Sequence, residues 1–254
     1  MSTSTPFLVA DLSNSFVKLA LTDGAGIISE KRRVVTAVLT LETLDQVVSD
    51  WKVERAVLAS VVPEKARVFA DYFGQRLQVI DHTWDLGIGI EFTDPSRIGG
   101  DRLANSAALA ELYGSPGVVI DFGTAVTFDI IDARRSYIGG VIAPGLAAMT
   151  DYLHEKTALL PRIELRTPET VVGKSTEEAM LAGAYYGYQG LVRNILAEIR
   201  ATVSVGETDG NRLRVVATGG YAELLLPGIP EIDEVNPNIT LEGVRIAGRN
   251  RDSH

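Results

Sequence analysis

The chain has 254 residues, 46% of them apolar and 22% charged, a balance that supports buried cores and argues against long disorder. A net charge of −9 argues against nucleic acid as the main partner, and the absence of cysteine removes disulfides, thiolate metal sites and cysteine nucleophiles. Met1 to Pro6 lacks the basic start of a signal peptide, and the uncharged stretch Tyr137 to Thr150 is too short and too broken by glycine and proline to span a membrane, so a cytoplasmic protein with no membrane contact is expected.

In chain order, Phe7–Ala10 and Phe16–Leu21 read as a hairpin, Asp23-Gly24 as the next turn, and Ile27–Val35 as a third strand. Leu41–Trp51 carries apolar residues at helical spacing, Ala56–Val61 is a short buried strand, Pro63–Phe73 a second helix, and Leu77–Ile80 another strand. A glycine-rich loop, Gly87 to Gly100, leads into an alanine-rich helix from Arg102 to Tyr113. Gly114-Ser115-Pro116-Gly117 ends that helix and marks a boundary between domains 1–115 and 116–254. Val118 opens the second half with a strand, a hairpin and a strand reaching Ile142. A long mixed helical stretch, a helix Thr176–Arg200 and a strand Leu213–Ala217 follow, ending in Thr218-Gly219-Gly220.

The two halves begin alike. Val9-Ala10-Asp11-Leu12-Ser13-Asn14-Ser15-Phe16-Val17-Lys18 and Val119-Ile120-Asp121-Phe122-Gly123-Thr124-Ala125-Val126-Thr127 each run from an apolar strand through an aspartate and a tight turn into a second strand, about 110 residues apart. A carboxylate beside turn N–H groups and hydroxyls suits a metal-bound polyphosphate, and two such hairpins facing one cleft would grip a nucleotide from both sides. The alternatives at other sites are weak. Gly173-Lys174-Ser175 has Pro168 where a P-loop needs its first glycine, and Gly87-Ile88-Gly89 has Phe92 where a dinucleotide loop needs its third. His82, His154 and His254 have no metal-ligand spacing.

Gly99-Gly100-Asp101-Arg102 begins a helix. There Asp101 serves either as a first-turn acid favoured by the helix dipole or as acceptor of a substrate hydroxyl proton during phosphoryl transfer, where positioning rather than a raised pKa matters. Arg102 is either solvated or paired with a substrate carboxylate or the moving phosphoryl group. Gly139-Gly140-Val141-Ile142-Ala143-Pro144-Gly145 is a strand feeding a turn, and Ser175 with Glu178 has the spacing of a capping box.

Taken in order, Gly99-Gly100-Asp101-Arg102, Asp121-Phe122-Gly123-Thr124-Ala125, Gly139-Gly140-x-Ile142-x-Pro144-Gly145, Thr157-Ala158-x-Leu160-Pro161 and Gly173-x-x-Thr176 resemble the type III pantothenate kinases of the actin-like ATPase superfamily, over Asp11 to about Leu225. The resemblance implies an α/β fold of two ribonuclease-H-like (actin-like ATPase) domains. Each would hold a mixed β-sheet flanked by helices, with the active-site cleft between them. It implies ATP-dependent phosphorylation of pantothenate to 4′-phosphopantothenate, the first step of coenzyme A biosynthesis, by a homodimer using Mg2+ and a monovalent cation (K+ or NH4+). It makes Asp101 the proton acceptor and assigns ATP to Asp11, Leu12, Ser13, Asn14, Ser15, Phe16, Val17, Lys18 and Thr124. Pantothenate falls to Phe92, Gly99, Gly100, Asp101, Arg102 and Thr176, and the monovalent cation to Asp121. Ala182, Gly183, Gly187 and Gly190 either pack internally or let helices approach at a dimer interface.

Three positions depart from the family pattern. Ser13 stands where glycine is usual in that pattern, which adds a Cβ at a place where the backbone either needs positive φ or must approach phosphate. Leu19 and Ala20 occupy the place of a closing glycine, and Phe92 replaces a tyrosine. These departures keep two other readings open: a catalytically silent homologue acting as a nucleotide-binding regulatory protein, and an actin-like kinase for another small hydroxy acid.

Overall fold

The computed structural model describes residues 6–203 and 212–251. The chain divides into two compact units, one of residues 1–114, 135–138 and 238–254, the other of residues 115–134 and 139–237.

In the first unit the order is β1 (Phe7–Leu12), β2 (Phe16–Thr22), β3 (Arg32–Val35), α1 (Leu41–Val48), β4 (Ala56–Ser60), α2 (Pro63–Phe73), β5 (Leu77–Val79), β6 (Gly89–Ile90) and α3 (Gly100–Leu112). The second unit adds β7 (Gly117–Phe122), β8 (Ala125–Ile131), most of β9 (Ser136–Pro144), α4 (Leu146–Lys156), α5 (Thr176–Val203), β10 (Arg214–Thr218), α6 (Ala222–Leu225) and β11 (Glu234–Val235). The chain then returns to the first unit as α7 (Ile239–Arg251).

Both sheets are wound the same way. The first runs β3-β2-β1-β4-β5 and the second β9-β8-β7-β10-β11, with β6 added beyond β9. In each, a hairpin supplies the antiparallel pairs and crossover helices supply the parallel ones: β1 pairs with β2 antiparallel and with β4 parallel, as β7 does with β8 and β10. β6 pairs with Ser136 and Tyr137 of β9, and these residues belong to the first unit.

Burial explains the sequence of the central strands. Every residue of β1 is buried, as a strand covered on both faces requires, and Leu8, Ala10 and Leu12 join Leu19, Leu44, Leu58 and Phe69 in one core. The expected helices at Leu41 and Pro63 form. Thr40 and Thr43 cap α1 reciprocally, and Pro63 occupies the first turn of α2, where its missing N–H costs nothing. In α3, Ala104, Ala107, Ala108 and Ala110 are buried, which allows α7 to lie close. Gly243 of α7 is required there, because a Cβ would fall on the carbonyl of Ala104 and lie 2.8 Å from its Cα. The buried Thr240 hydroxyl donates to Asn105 Oδ1 across the same contact at 2.9 Å.

Two expectations change. The strand expected over Ile27–Val35 shortens to Arg32–Val35, because the Ser29 hydroxyl, not a ladder carbonyl, accepts the Leu21 N–H at 2.8 Å. Ile27 keeps a single isolated bridge to Thr22. The mixed helical stretch after Ile142 resolves into α4, followed by irregular chain from Thr157 to Ser175. No helix among the described residues is long and apolar enough to cross a membrane.

Candidate active site

The first hairpin places Asp11 opposite Lys18, with its side chain only 2% exposed. Its two carboxylate oxygens have different partners: Ser13 Oγ donates to Oδ1 at 2.7 Å, and Lys18 Nζ lies 3.4 Å from Oδ2. The turn is closed by Ser13 N–H to the Phe16 carbonyl at 3.1 Å. Thr36 fastens it from outside, donating its hydroxyl to the Ser13 carbonyl at 2.7 Å and its N–H to the Ser15 carbonyl at 3.0 Å. Asn14 and Ser15 are exposed at the tip, whereas the side chains of Leu12 and Val17 lie in the core, so those two residues present only backbone to a ligand. Phe16 carries the Arg33 guanidinium 3.3 Å above its ring. Ser13 is not strained: among the described non-glycine residues, positive φ occurs only at Arg135.

Asp101 sits in the first turn of α3, half-buried, its Oδ1 accepting the Arg102 N–H at 2.8 Å. The two glycines before it have separate causes. A Cβ on Gly99 would stand 2.5 Å from Asp101 Oδ1, so glycine leaves room for the carboxylate. One on Gly100 would crowd the Ile80 carbonyl at 3.2 Å and the Ser60 nitrogen at 3.3 Å, so glycine lets the helix begin against the end of β4. The helix N-terminus itself favours an ionised carboxylate at this position. The Arg102 guanidinium lies 5.7 Å from the centre of the Tyr137 ring, within cation–π range, and the Phe92 ring is 5.9 Å from the same ring. The structure therefore gathers Gly99, Gly100, Asp101, Arg102 and Phe92 in the first unit, with Tyr137 as a neighbour that sequence reading missed. Only the β6–β9 pairing reveals it.

In the second unit Asp121, next to last in β7, lies between Thr127 of β8 and Thr218 of β10. Gly219, at φ +92°, follows Thr218, and a Cβ there would stand 2.6 Å from Asp121 Oδ1 and 2.5 Å from the Phe122 carbonyl carbon. The Thr218 hydroxyl is buried with no hydrogen-bond partner. Thr124 is exposed at the turn, its carbonyl accepting the Gly145 N–H at 3.1 Å. Gly145 is irreplaceable locally, since a Cβ would lie 2.6 Å from the Gly123 carbonyl oxygen. Pro144 is held from below by the Tyr188 hydroxyl at 2.9 Å.

Thr176 begins α5 and is exposed. The box expected there is half-formed: Glu178 N–H donates to Ser175 Oγ at 3.2 Å, while the Glu178 carboxylate accepts from Lys174 N–H at 2.6 Å rather than from Ser175. Gly183, Gly187 and Gly190 are exposed along α5, and a Cβ on any of them would meet nothing within 4 Å, so they do not serve internal packing. Ala182, by contrast, is buried. No group of three His, Cys, Asp or Glu side chains among the described residues is placed to hold a metal ion by itself.

A sequence model of the type III pantothenate kinase family matches residues 7–198. The chain is 45% identical over 241 residues to a type III pantothenate kinase of Akkermansia muciniphila, covering 95% of this chain and 97% of that one. Among solved structures it is similar to the activator of 2-hydroxyisocaproyl-CoA dehydratase from Clostridium difficile with bound ADPNP, at TM-score 0.54 and 10% identity, covering 98% and 96% of the two chains. It is also similar to MreB 5 of Spiroplasma citri bound to AMPPNP, at TM-score 0.53 and 12% identity, covering 98% of each chain. The fold is the actin-like one.

Proposed function

The chain belongs to the type III pantothenate kinase family and phosphorylates pantothenate with ATP, entering coenzyme A biosynthesis; from that premise we propose which of its residues perform the reaction. Asp101 is the proton acceptor. The observation that carries this is its position at the start of α3, in space kept open by Gly99 and fixed by the Arg102 N–H. Asp101 takes the proton from the 4′-hydroxyl of pantothenate as that oxygen attacks the γ-phosphorus of ATP, and ADP leaves. Phosphoryl transfer demands positioning and charge more than covalent assistance, so an ordinary ionised carboxylate suffices.

Arg102, steadied over Tyr137, pairs with the pantothenate carboxylate, Gly99, Gly100 and Phe92 accompany it in the first unit, and the family pattern assigns Thr176 to pantothenate as well. Asp11 to Lys18 hold the ATP phosphates through turn N–H groups, hydroxyls and the Lys18 ammonium, and the family pattern gives Thr124 a contact with ATP. The residues fit a Mg2+ ion that arrives on the nucleotide rather than one caged by protein, because Asp11 offers a single carboxylate. Asp121, cradled by Gly219, fits a weakly bound monovalent cation, K+ or NH4+, for the same reason. These ions offset phosphate charge when bound. The exposed glycine face of α5, with Tyr186 exposed on the same helix, supports a homodimer: three solvent-facing glycines inside a helix each cost about 1 kcal/mol relative to alanine, and close helix approach gives them a use. The protein acts in the cytoplasm.

The test is ADP release from purified protein with Mg-ATP, potassium and pantothenate, alongside other hydroxy acids. Pantothenate-dependent turnover that drops by about 10²–10⁴ in Asp101→Asn, with ATP still bound, is expected. Nucleotide binding without turnover would mean a silent homologue, and turnover only with another acid would overturn the substrate.

A further inference from the structure

The turn between β1 and β2 carries Ser13 two residues after Asp11, and the geometry gives that serine a task. Its backbone lies outside the left-handed region, so the turn does not need glycine. Its side chain folds back, and Oγ donates to Asp11 Oδ1 at 2.7 Å. The opposite oxygen faces Lys18 Nζ at 3.4 Å. A closed charge-assisted contact between ammonium and carboxylate spans about 2.7–2.9 Å. Lys18 therefore makes only a long ion pair with Asp11, looser than a direct hydrogen bond, and a third of its side chain remains exposed.

We propose that Ser13 is a positioning residue for Asp11: by holding Oδ1, its hydroxyl stops the carboxylate from swinging onto Lys18, and so keeps both charges available to the cation-bearing phosphates of ATP. The proposal rests on reading the Asp11 hairpin as the phosphate-binding turn. Its physical basis is competition. A carboxylate with 2% exposure has little water to satisfy it. Deprived of the Ser13 hydroxyl, it regains a partner most cheaply by closing the ion pair with Lys18. That collapse removes one negative group from the cation and one positive group from the phosphates at once. The turn around Ser13 is independently braced by Thr36 and by the Phe16 carbonyl, so losing the hydroxyl leaves the loop in place.

The experiment is calorimetric titration of the full chain with ATP in excess Mg2+ and, separately, in EDTA, for the wild type, Ser13→Ala, Ser13→Thr and Asp11→Asn, with melting temperature as a check on folding. Ser13→Ala should weaken Mg-ATP binding by about 3–10-fold. Metal-free ATP should change less, melting temperature should hold, and Ser13→Thr should restore affinity. Equal affinities for Ser13→Ala and wild type in Mg2+ would overturn the proposal. Equal losses with and without Mg2+ accompanied by a lower melting temperature would also overturn it, since they describe a merely structural serine. If Asp11→Asn leaves the Mg2+ dependence untouched, the reading of the hairpin itself fails, which is a separate result from failure at Ser13.

Discussion

Gly243→Ala should destabilise the first unit and slow turnover together. The new methyl would overlap the carbonyl of Ala104 and lie 2.8 Å from its Cα, where carbon atoms rest about 3.5–4.0 Å apart, so α7 and α3 must separate locally by roughly 1 Å. Overpacking of this kind costs about 1–3 kcal/mol. Stretching the buried Thr240–Asn105 hydrogen bond adds about 1–3 kcal/mol, and the better helix propensity of alanine returns about 1 kcal/mol. The net loss is about 1–5 kcal/mol, centred near 3. Both tryptophans, Trp51 and Trp84, lie in the first unit, so urea unfolding followed by tryptophan fluorescence reports on it directly. Because Asp101 lies in the first turn of α3, a displacement approaching 1 Å should also lower kcat by up to about 10²-fold, with ATP binding less affected. A urea midpoint within error of the wild type and an unchanged kcat would refute the claim that this helix contact positions Asp101.

Replacing potassium by sodium should cut activity, and Asp121→Asn should remove the difference between the two ions; equal rates in wild type would count against a cation at Asp121. Phe92→Tyr should lower KM for pantothenate by about 2–10-fold by returning one hydrogen bond, and no change would show that the ring alone serves. The Arg249 guanidinium, 2.7 Å from Glu111, holds the Glu111 carboxyl below its ordinary value of 4.5. Its contribution to stability is complete above that value and is lost as pH falls through the depressed one, so wild type should lose more stability on acidification than Glu111→Gln; parallel pH profiles would exclude the link.

The paired hairpins were legible because an apolar run ending in aspartate is a local pattern, and Asp11 and Asp121 both stand at ends of buried strands. Gly99 and Gly100 were legible as a motif, though the reasons for them, room for a carboxylate and contact with β4, belong to tertiary structure. The role of Ser13 was not legible, since only the folded turn shows a backbone outside the left-handed region and a hydroxyl on Asp11. Tyr137 escaped notice because its link to Phe92 and Arg102 depends on β6 pairing with a strand far along the chain. Helix α7 was missed for a different reason. Its polar letters conceal a mostly buried segment in which Arg245, 4% exposed, is satisfied by Glu242 and the Gly24 carbonyl.

The return of α7 to its early partners has a consequence for biosynthesis. The residues that flank Asp101 leave the ribosome first, but the helix that closes over them is translated after residues 115–237. At about 5–20 residues per second, the N-terminal sheet waits roughly 6–25 s with one face of α3 uncovered. The later-made unit can finish before the earlier one, and a nascent chain stalled short of Ile239 would leave the apolar side of α3 open to chaperones.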